Sequence, residues 1–383
     1  MSTIEECCRI SNFVKDSVQK RGYPLEVHSV TTEDGYINSL FRIPHGKDTD
    51  TFNKLQRKPV LLVHGLLASC ADWVNLENGL GYFLVDNGYD VWLANCRGTT
   101  FSRGHVSLDF QKNAAEYWDF SWHEIGYYDV AAFIDHVLSI TQFSKLLYIG
   151  HSQGATAVFV LTSTKQEYND KISLCCALAP AVVFDKAKLF PMKLMANICQ
   201  RIQALLNFFH VYPSSIPFGT LTRCIIRQGE SNSFSRRIAL LYLALIAGHA
   251  DIEQTTKMEL STIGVTTVNS ASWRQFIHYC QCIQSRKFAQ YDFGKPRNEE
   301  LYNSICPPEY DLLKVTVPVA IFYGKNDVFF HAEDIISLTK KLGNVVHKYE
   351  IEWKLFNHMD FLYANDSVTL AYKYILDMLQ IYK

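Results

Sequence analysis

Short apolar runs alternate with longer amphipathic stretches along the chain, the pattern of strands feeding crossover helices in a parallel sheet. Leu25 to Thr31 and Tyr36 to Ile43 flank the turn residues Glu33, Asp34 and Gly35 and predict a hairpin. Pro59 to His64 reads as a buried strand ended by Gly65. A helix around Leu80 to Asn87 leads into a second such strand, Gly88 to Ala94. Trp122 to Thr141 has helical periodicity, with Ile125, Val130, Phe133, Ile134 and Val137 on one side. Leu146 to Ile149 and Leu174 to Ala179 are the next strands. The rhythm then breaks: from about Phe184 to Pro308 the segments are helical, rich in Met, Leu and Phe, and punctuated by Pro and Gly. Strand signals return in Pro318 to Tyr323 and Lys348 to Glu352, and a last helix covers Ser367 to Gln380. The predicted fold class is α/β, a mostly parallel, doubly wound sheet. Its core is split into residues 1–183 and 309–383, with a helical cap, residues 184–308, inserted between the sixth and seventh strands.

Composition narrows this little but excludes a good deal. At 48% hydrophobic and 20% charged over 383 residues, the chain is too apolar to be disordered. Thirty-seven basic against 38 acidic residues leave no electrostatic footprint for nucleic acid or a strongly anionic membrane. The longest apolar stretch, Ile238 to Gly248, falls well short of the ~20 residues that span a bilayer, so no transmembrane segment is expected. The first residues show neither a basic n-region nor an apolar h-region, so no signal peptide is visible. Eleven scattered cysteines do not form a disulfide framework, and Asn365-Asp366-Ser367 is the one glycosylation sequon. By themselves these features point to a reducing, intracellular setting. No Cys/His spacing suggests a metal and no glycine-rich loop suggests a phosphate, so neither metal nor cofactor is expected.

The chemistry is concentrated in Gly150-His151-Ser152-Gln153-Gly154, which follows an apolar strand and opens a run of small residues, Ala155 to Val160. In that setting G-x-S-x-G predicts a nucleophile elbow, a tight strand-to-helix turn that exposes the serine hydroxyl. A serine hydroxyl barely ionises at neutral pH, so it needs a base, and the base needs an orienting acid. The chain order Ser, acid, His selects Asp327, in the loop after Pro318–Tyr323, and His358, beyond the last strand. Both fall where open α/β sheets collect reactive groups, past the carboxyl ends of strands. Of the competitors, His331 shares the loop of Asp327, and His347 precedes the last strand, at its wrong end. Asp334 and Asp360 are the alternative acids, and Asp360 reads better as a local hydrogen-bond partner near His358. An oxyanion hole needs preorganised N–H donors. The backbone N–H of Gln153 is one candidate, and that of Leu66, in the loop His64-Gly65-Leu66-Leu67, is the other.

These stretches resemble the acid lipase family, the relatives of lysosomal acid lipase and gastric lipase. The matching motifs include Thr32 to Tyr36, Val63 to Leu67 with Asp72 and Trp73, and Asn95 to Gly98 followed by Ser102 and His105. They continue through Tyr117 to Trp122 with Glu124, Tyr128 and Asp129, then Gly150 to Gly154, Phe288 to Gly294, Gly324 to Asp327 and Asn357 to Phe361. The resemblance spans nearly the whole chain in order. It implies an α/β-hydrolase fold and a carboxylic ester hydrolase acting on triacylglycerols or cholesteryl esters. Ser152 would be the nucleophile, Asp327 the orienting acid and His358 the base, with Leu66 and Gln153 as oxyanion donors. Relatives are usually secreted or lysosomal and often carry a cap disulfide; Cys224 would match one half, with Ser233 nine positions on.

The motifs around Asn95–His105 and Tyr117–Trp122 read as scaffold about the site. Apolar stripes in Leu189–Met195, Ile202–Phe209 and Ile238–Ile246 are more often core, but their concentration in an insertion suggests a lid or acyl pocket. Three other readings stand beside a lipid-ester hydrolase: a general carboxylesterase without interfacial activity, a serine peptidase, and a catalytically silent binding protein. The apolar cap favours long acyl chains over the first. The family-specific motifs count against the second, and the intact elbow and triad against the third.

Overall fold

The computed structural model describes residues 14–47, 56–186, 205, 212, 225, 228, 231–247 and 269–383. Among these residues, nine strands form one sheet: β1 (Glu26–Thr31), β2 (Tyr36–Ile43), β3 (Pro59–Val63), β4 (Asp90–Ala94), β5 (Gly104–His105), β6 (Leu146–His151), β7 (Ile172–Leu178), β8 (Val319–Tyr323) and β9 (Val345–Glu350). The order across the sheet is β1-β2-β4-β3-β6-β7-β8-β9, with β5 paired to β2. β1 and β2 form the antiparallel hairpin expected, and β2 runs antiparallel to β4. From β4 to β9 every pairing is parallel.

The apolar runs became strands because both faces of the parallel sheet are covered, so every residue of β3, β4, β6 and β8 is buried. Val60 and Leu62 of β3 pack into one core, Leu61 and Val63 into the other. Helix α1 (Leu80–Asp86) precedes β4, α2 (Ala131–Thr141) precedes β6, and α3 (Gln153–Thr164) leaves β6. The stretch read as one helix from Trp122 to Thr141 is helical throughout, but with a wider π-type turn over Ile125–Val130.

Two strand assignments shift. The last strand is Val345–Glu350 rather than Lys348–Glu352. Its edge position leaves its residues half-buried or exposed, so its apolar signal is weak. The two-residue β5 carries no periodicity, and counting it places the inserted segment between β7 and β8. Within that segment the described helices are α4 (Ser233–Ala247), α5 (Trp273–Ser285) and α6 (Lys295–Tyr302). The apolar stretches Leu189–Met195 and Ile202–Phe209, and Cys224, lie outside the described residues except for the isolated position Leu205.

β3 is flanked by β4 on one side and β6 on the other, so the chain goes one way from β3 to β4 and then back past β3 to β6. This is a topological switch point, where the loops past the strand ends splay apart and open a crevice. The loops after β3 and β6 border it.

Candidate active site

The Ser152 turn is built by two missing side chains. A Cβ at Gly154 would lie 2.2 Å from the carbonyl oxygen of Val63, and one at Gly150 would lie 2.6 Å from the amide nitrogen of Ala155. Glycine therefore lets α3 start directly against β3 and β6. Ser152 has φ 52° and ψ −114°, a conformation L side chains rarely adopt. Its N–H is held by the carbonyl of Leu178 at 2.9 Å, so the sheet itself keeps the serine in this strained turn. The N-terminus of α3, with its unpaired N–H groups and positive dipole end, begins at Gln153.

Asp327 follows β8 and His358 follows β9, and the structure brings them together. Nδ1 of His358 lies 2.8 Å from Oδ2 of Asp327, with both side chains buried. A carboxylate only accepts hydrogen bonds, so Nδ1 carries the proton and Nε2 is the basic nitrogen. The other carboxylate oxygen accepts the N–H groups of Phe329 and Phe330 at 2.8 and 3.0 Å, which fixes the acid's orientation. Phe329 and Phe330 also pack their rings on His358, 5.0 and 5.3 Å between centroids.

The competing residues lie elsewhere. His331 sits at the N-cap position of α7 (Ala332–Lys341), 3.7 Å from Glu333. His347 lies inside β9, paired with Ala320, rather than ahead of the strand. Asp334 accepts the N–H of Lys186. Asp360 accepts the N–H of Asn357 at 2.7 Å, a local partner beside His358.

The loop carrying Leu66 leaves β3 beside the serine turn, since Val63 pairs with Gly150. A Cβ at Gly65 would lie 3.2 Å from that of Ser152. Leu66 is half-buried, and Leu67 turns the loop through φ 61°.

Two histidines within these motifs, His64 and His151, have bonding roles that the sequence reading did not assign. Nδ1 of His64 donates to the carbonyl of Gly65 at 2.8 Å, and its Nε2 accepts the N–H of Cys96 at 3.1 Å. Burial lowers its pKa to about 4. His151 donates from Nε2 to the carbonyl of His358 at 2.9 Å. Burial, reinforced by His358, lowers its pKa to about 3. His64 thus ties the loop after β3 to the loop after β4, and His151 ties the serine turn to the loop of His358; each is a neutral strut. Only the sequence neighbours Gly65 and Ser152 hinted at them, because their partners lie far along the chain.

The scaffold motifs also hold a closed ionic cluster. Arg97 donates from Nη1 and Nη2 to Asp34 at 2.6 and 2.8 Å, and from Nε to Asp129 at 2.8 Å. Its guanidinium lies 3.9 Å from the Tyr36 ring centroid. Burial opposes the Arg97 charge, but the two carboxylates outweigh it and raise its pKa.

A mostly parallel sheet of this order, with a serine at a strained strand-to-helix turn, defines an α/β-hydrolase. Two family models match: the partial alpha/beta-hydrolase lipase region over residues 14–77 and the alpha/beta hydrolase fold over residues 58–212. A carboxylesterase from Bacillus subtilis shares the fold, with a TM-score of 0.51 at 12% identity, covering 98% of each chain. Lipase 1 of Drosophila melanogaster is 40% identical, covering 94% of this chain and 78% of that one. Gastric triacylglycerol lipase of Bos taurus is 33% identical, covering 96% and 90%. Lipase member K of Mus musculus is 32% identical, covering 96% and 90%. The chain belongs to the acid lipase family of α/β-hydrolases and is an ester hydrolase of the lipase type. Among the described residues, no helix is long and apolar enough to cross a membrane.

Proposed function

We propose that the chain cleaves triacylglycerols or cholesteryl esters to free fatty acid through an acyl-enzyme on Ser152. Oγ of Ser152 attacks the ester carbonyl as Nε2 of His358 takes its proton, and Asp327 stabilises the imidazolium. The N–H groups of Leu66 and Gln153 hold the oxyanion, each donor contributing about 3 kcal/mol to transition-state stabilisation. His358 then returns the proton to the departing alcohol. Water then attacks the acyl carbonyl as His358 takes its proton, and His358 returns that proton to Oγ of Ser152 as the fatty acid leaves. Residues 184–308 are the cap in this reading.

The observation that carries the assignment is the 2.8 Å hydrogen bond between His358 and Asp327, with both residues past the same sheet edge as the strained Ser152 turn. The names of the relatives, gastric triacylglycerol lipase among them, support the substrate class. The test is fatty-acid release from emulsified long-chain triacylglycerol and cholesteryl ester at about pH 5 and about pH 7, wild type beside Ser152→Ala. Release that depends on Ser152 is expected from at least one ester. If only a short-chain soluble ester is cleaved, the protein is a general esterase.

A further inference from the structure

Residues 269–275, where the inserted segment returns to the core, reach both loops assigned to the oxyanion. At one end the N–H of Asn269 donates to the carbonyl of Leu67 at 2.8 Å. Leu67 is the left-handed residue that follows Leu66. At the other end Nε2 of Gln275 donates to Oε1 of Gln153 at 3.2 Å, with both side chains buried. The Gln275 amide is oriented by its own oxygen, which accepts the N–H of Ser272 at 2.8 Å. Between these ends the segment is anchored to the core. Oδ1 of Asn269 accepts the N–H of Thr100 at 3.1 Å, Oγ of Ser270 accepts from Arg103 at 2.9 Å, and Oγ of Ser272 donates to the carbonyl of Trp118 at 2.6 Å.

Backbone N–H donors accelerate a reaction only if they already point at the place where charge will develop. A loop does not aim them unaided, so something must hold the backbone that carries them. The helix starting at Gln153 and the loop through Leu67 come from different strands, β6 and β3. Residues 269–275 bond to both.

We infer that residues 269–275 are a strap that sets the oxyanion site, with Gln275 a positioning residue that acts through the Gln153 side chain. The inference rests on Leu66 and Gln153 being the oxyanion donors. It makes the inserted segment part of the rate-determining geometry as well as a cap. Gln153 thereby acquires two roles, its N–H facing the oxyanion and its amide facing the strap.

The experiment is steady-state kinetics of the full chain on p-nitrophenyl butyrate, a soluble ester. The variants are Gln275→Met, Gln153→Met, their double mutant and Ser152→Ala, with thermal midpoints measured alongside. Gln275→Met lowers kcat about tenfold with KM within about twofold, because the strap acts on the transition state rather than on binding. Gln153→Met has a similar effect, and the double mutant is no slower than either single one. Gln275 also closes a capping box with Ser272, and a purely structural capping role would persist in the Gln153→Met background and multiply the losses. Wild-type kcat in Gln275→Met, or multiplicative losses, overturns the inference. If Gln275→Met does not fold, Gln153→Met alone decides, since it leaves the capping box intact: wild-type kcat there overturns the strap. Activity surviving in Ser152→Ala would instead overturn the catalytic assignment on which the strap depends.

Discussion

Among the described residues, the cluster of Asp34, Arg97 and Asp129 and the pair Asp327–His358 can be set side by side, and in the proposed reading only the pair is arranged for chemistry. In the first, Asp34, Arg97 and Asp129 close on one another: the guanidinium meets a carboxylate on two sides, and Tyr36 lies against it. In the second, Asp327 spends one oxygen on two backbone N–H groups and the other on His358. The proton on Nδ1 makes Nε2 a base. A closed cluster joins the hairpin turn, the loop after β4 and the helical segment through Asp129. An open one can pass a proton onward. Buried charge alone therefore does not mark a site; the chemistry left over after the hydrogen bonds are satisfied does.

The largest effect that separates the clusters is catalytic. Asp327→Asn is expected to lower kcat/KM roughly 10⁴-fold, because the amide favours the wrong imidazole tautomer. Its thermal midpoint should change little, and retention of wild-type turnover would break the distinction. Next comes Arg97→Met, which leaves the buried Asp129 and the partly buried Asp34 without their cation. Breaking a buried ion pair from one side costs about 3–5 kcal/mol, so the melting temperature should fall steeply while the folded fraction still turns over. A melting temperature unchanged by Arg97→Met would show that the cluster does not support the fold.

A smaller effect concerns the neutral struts. His64 and His151 have folded pKa values depressed to about 4 and about 3, below the ~6.5 of an unfolded histidine. Such groups bind fewer protons when folded, so their stability contribution is complete above pH 6.5 and is lost as pH falls towards the folded value. Each is expected to cost about 2 kcal/mol between pH 6.5 and pH 5. Asp72 works in the opposite direction. Burial raises its pKa to about 6, so its stabilising contribution grows as pH drops through that value. The two histidines outweigh it, and the thermal midpoint should fall from pH 7 to pH 5. A midpoint that rises over this range would contradict the neutral assignment of the struts.

The parts legible in the sequence are those in which a local pattern and a buried outcome coincide. β3, β4, β6 and β8 are apolar runs because both faces of a parallel sheet are covered, and their ends locate the loops of Ser152, Asp327 and Leu66. Gly150 and Gly154 are legible because the close approach of α3 to β3 leaves no room for a Cβ. The edge strand β9 starts three residues before its apolar signal does, because an edge does not need an apolar run. The Arg97 cluster, the histidine struts and the strap at Asn269–Gln275 are invisible for another reason. Each is a pairing between residues far apart in the chain, such as Gln153 with Gln275, and no periodicity encodes such a partner.

The most direct measurement of the central claim is covalent labelling with diethyl p-nitrophenyl phosphate, followed by peptide mass analysis of wild type, Ser152→Ala and His358→Ala. The account predicts a single diethylphosphoryl adduct on the peptide carrying Ser152, absent from Ser152→Ala and formed far more slowly in His358→Ala. Labelling at another residue, or at Ser152 with undiminished speed without His358, would contradict it.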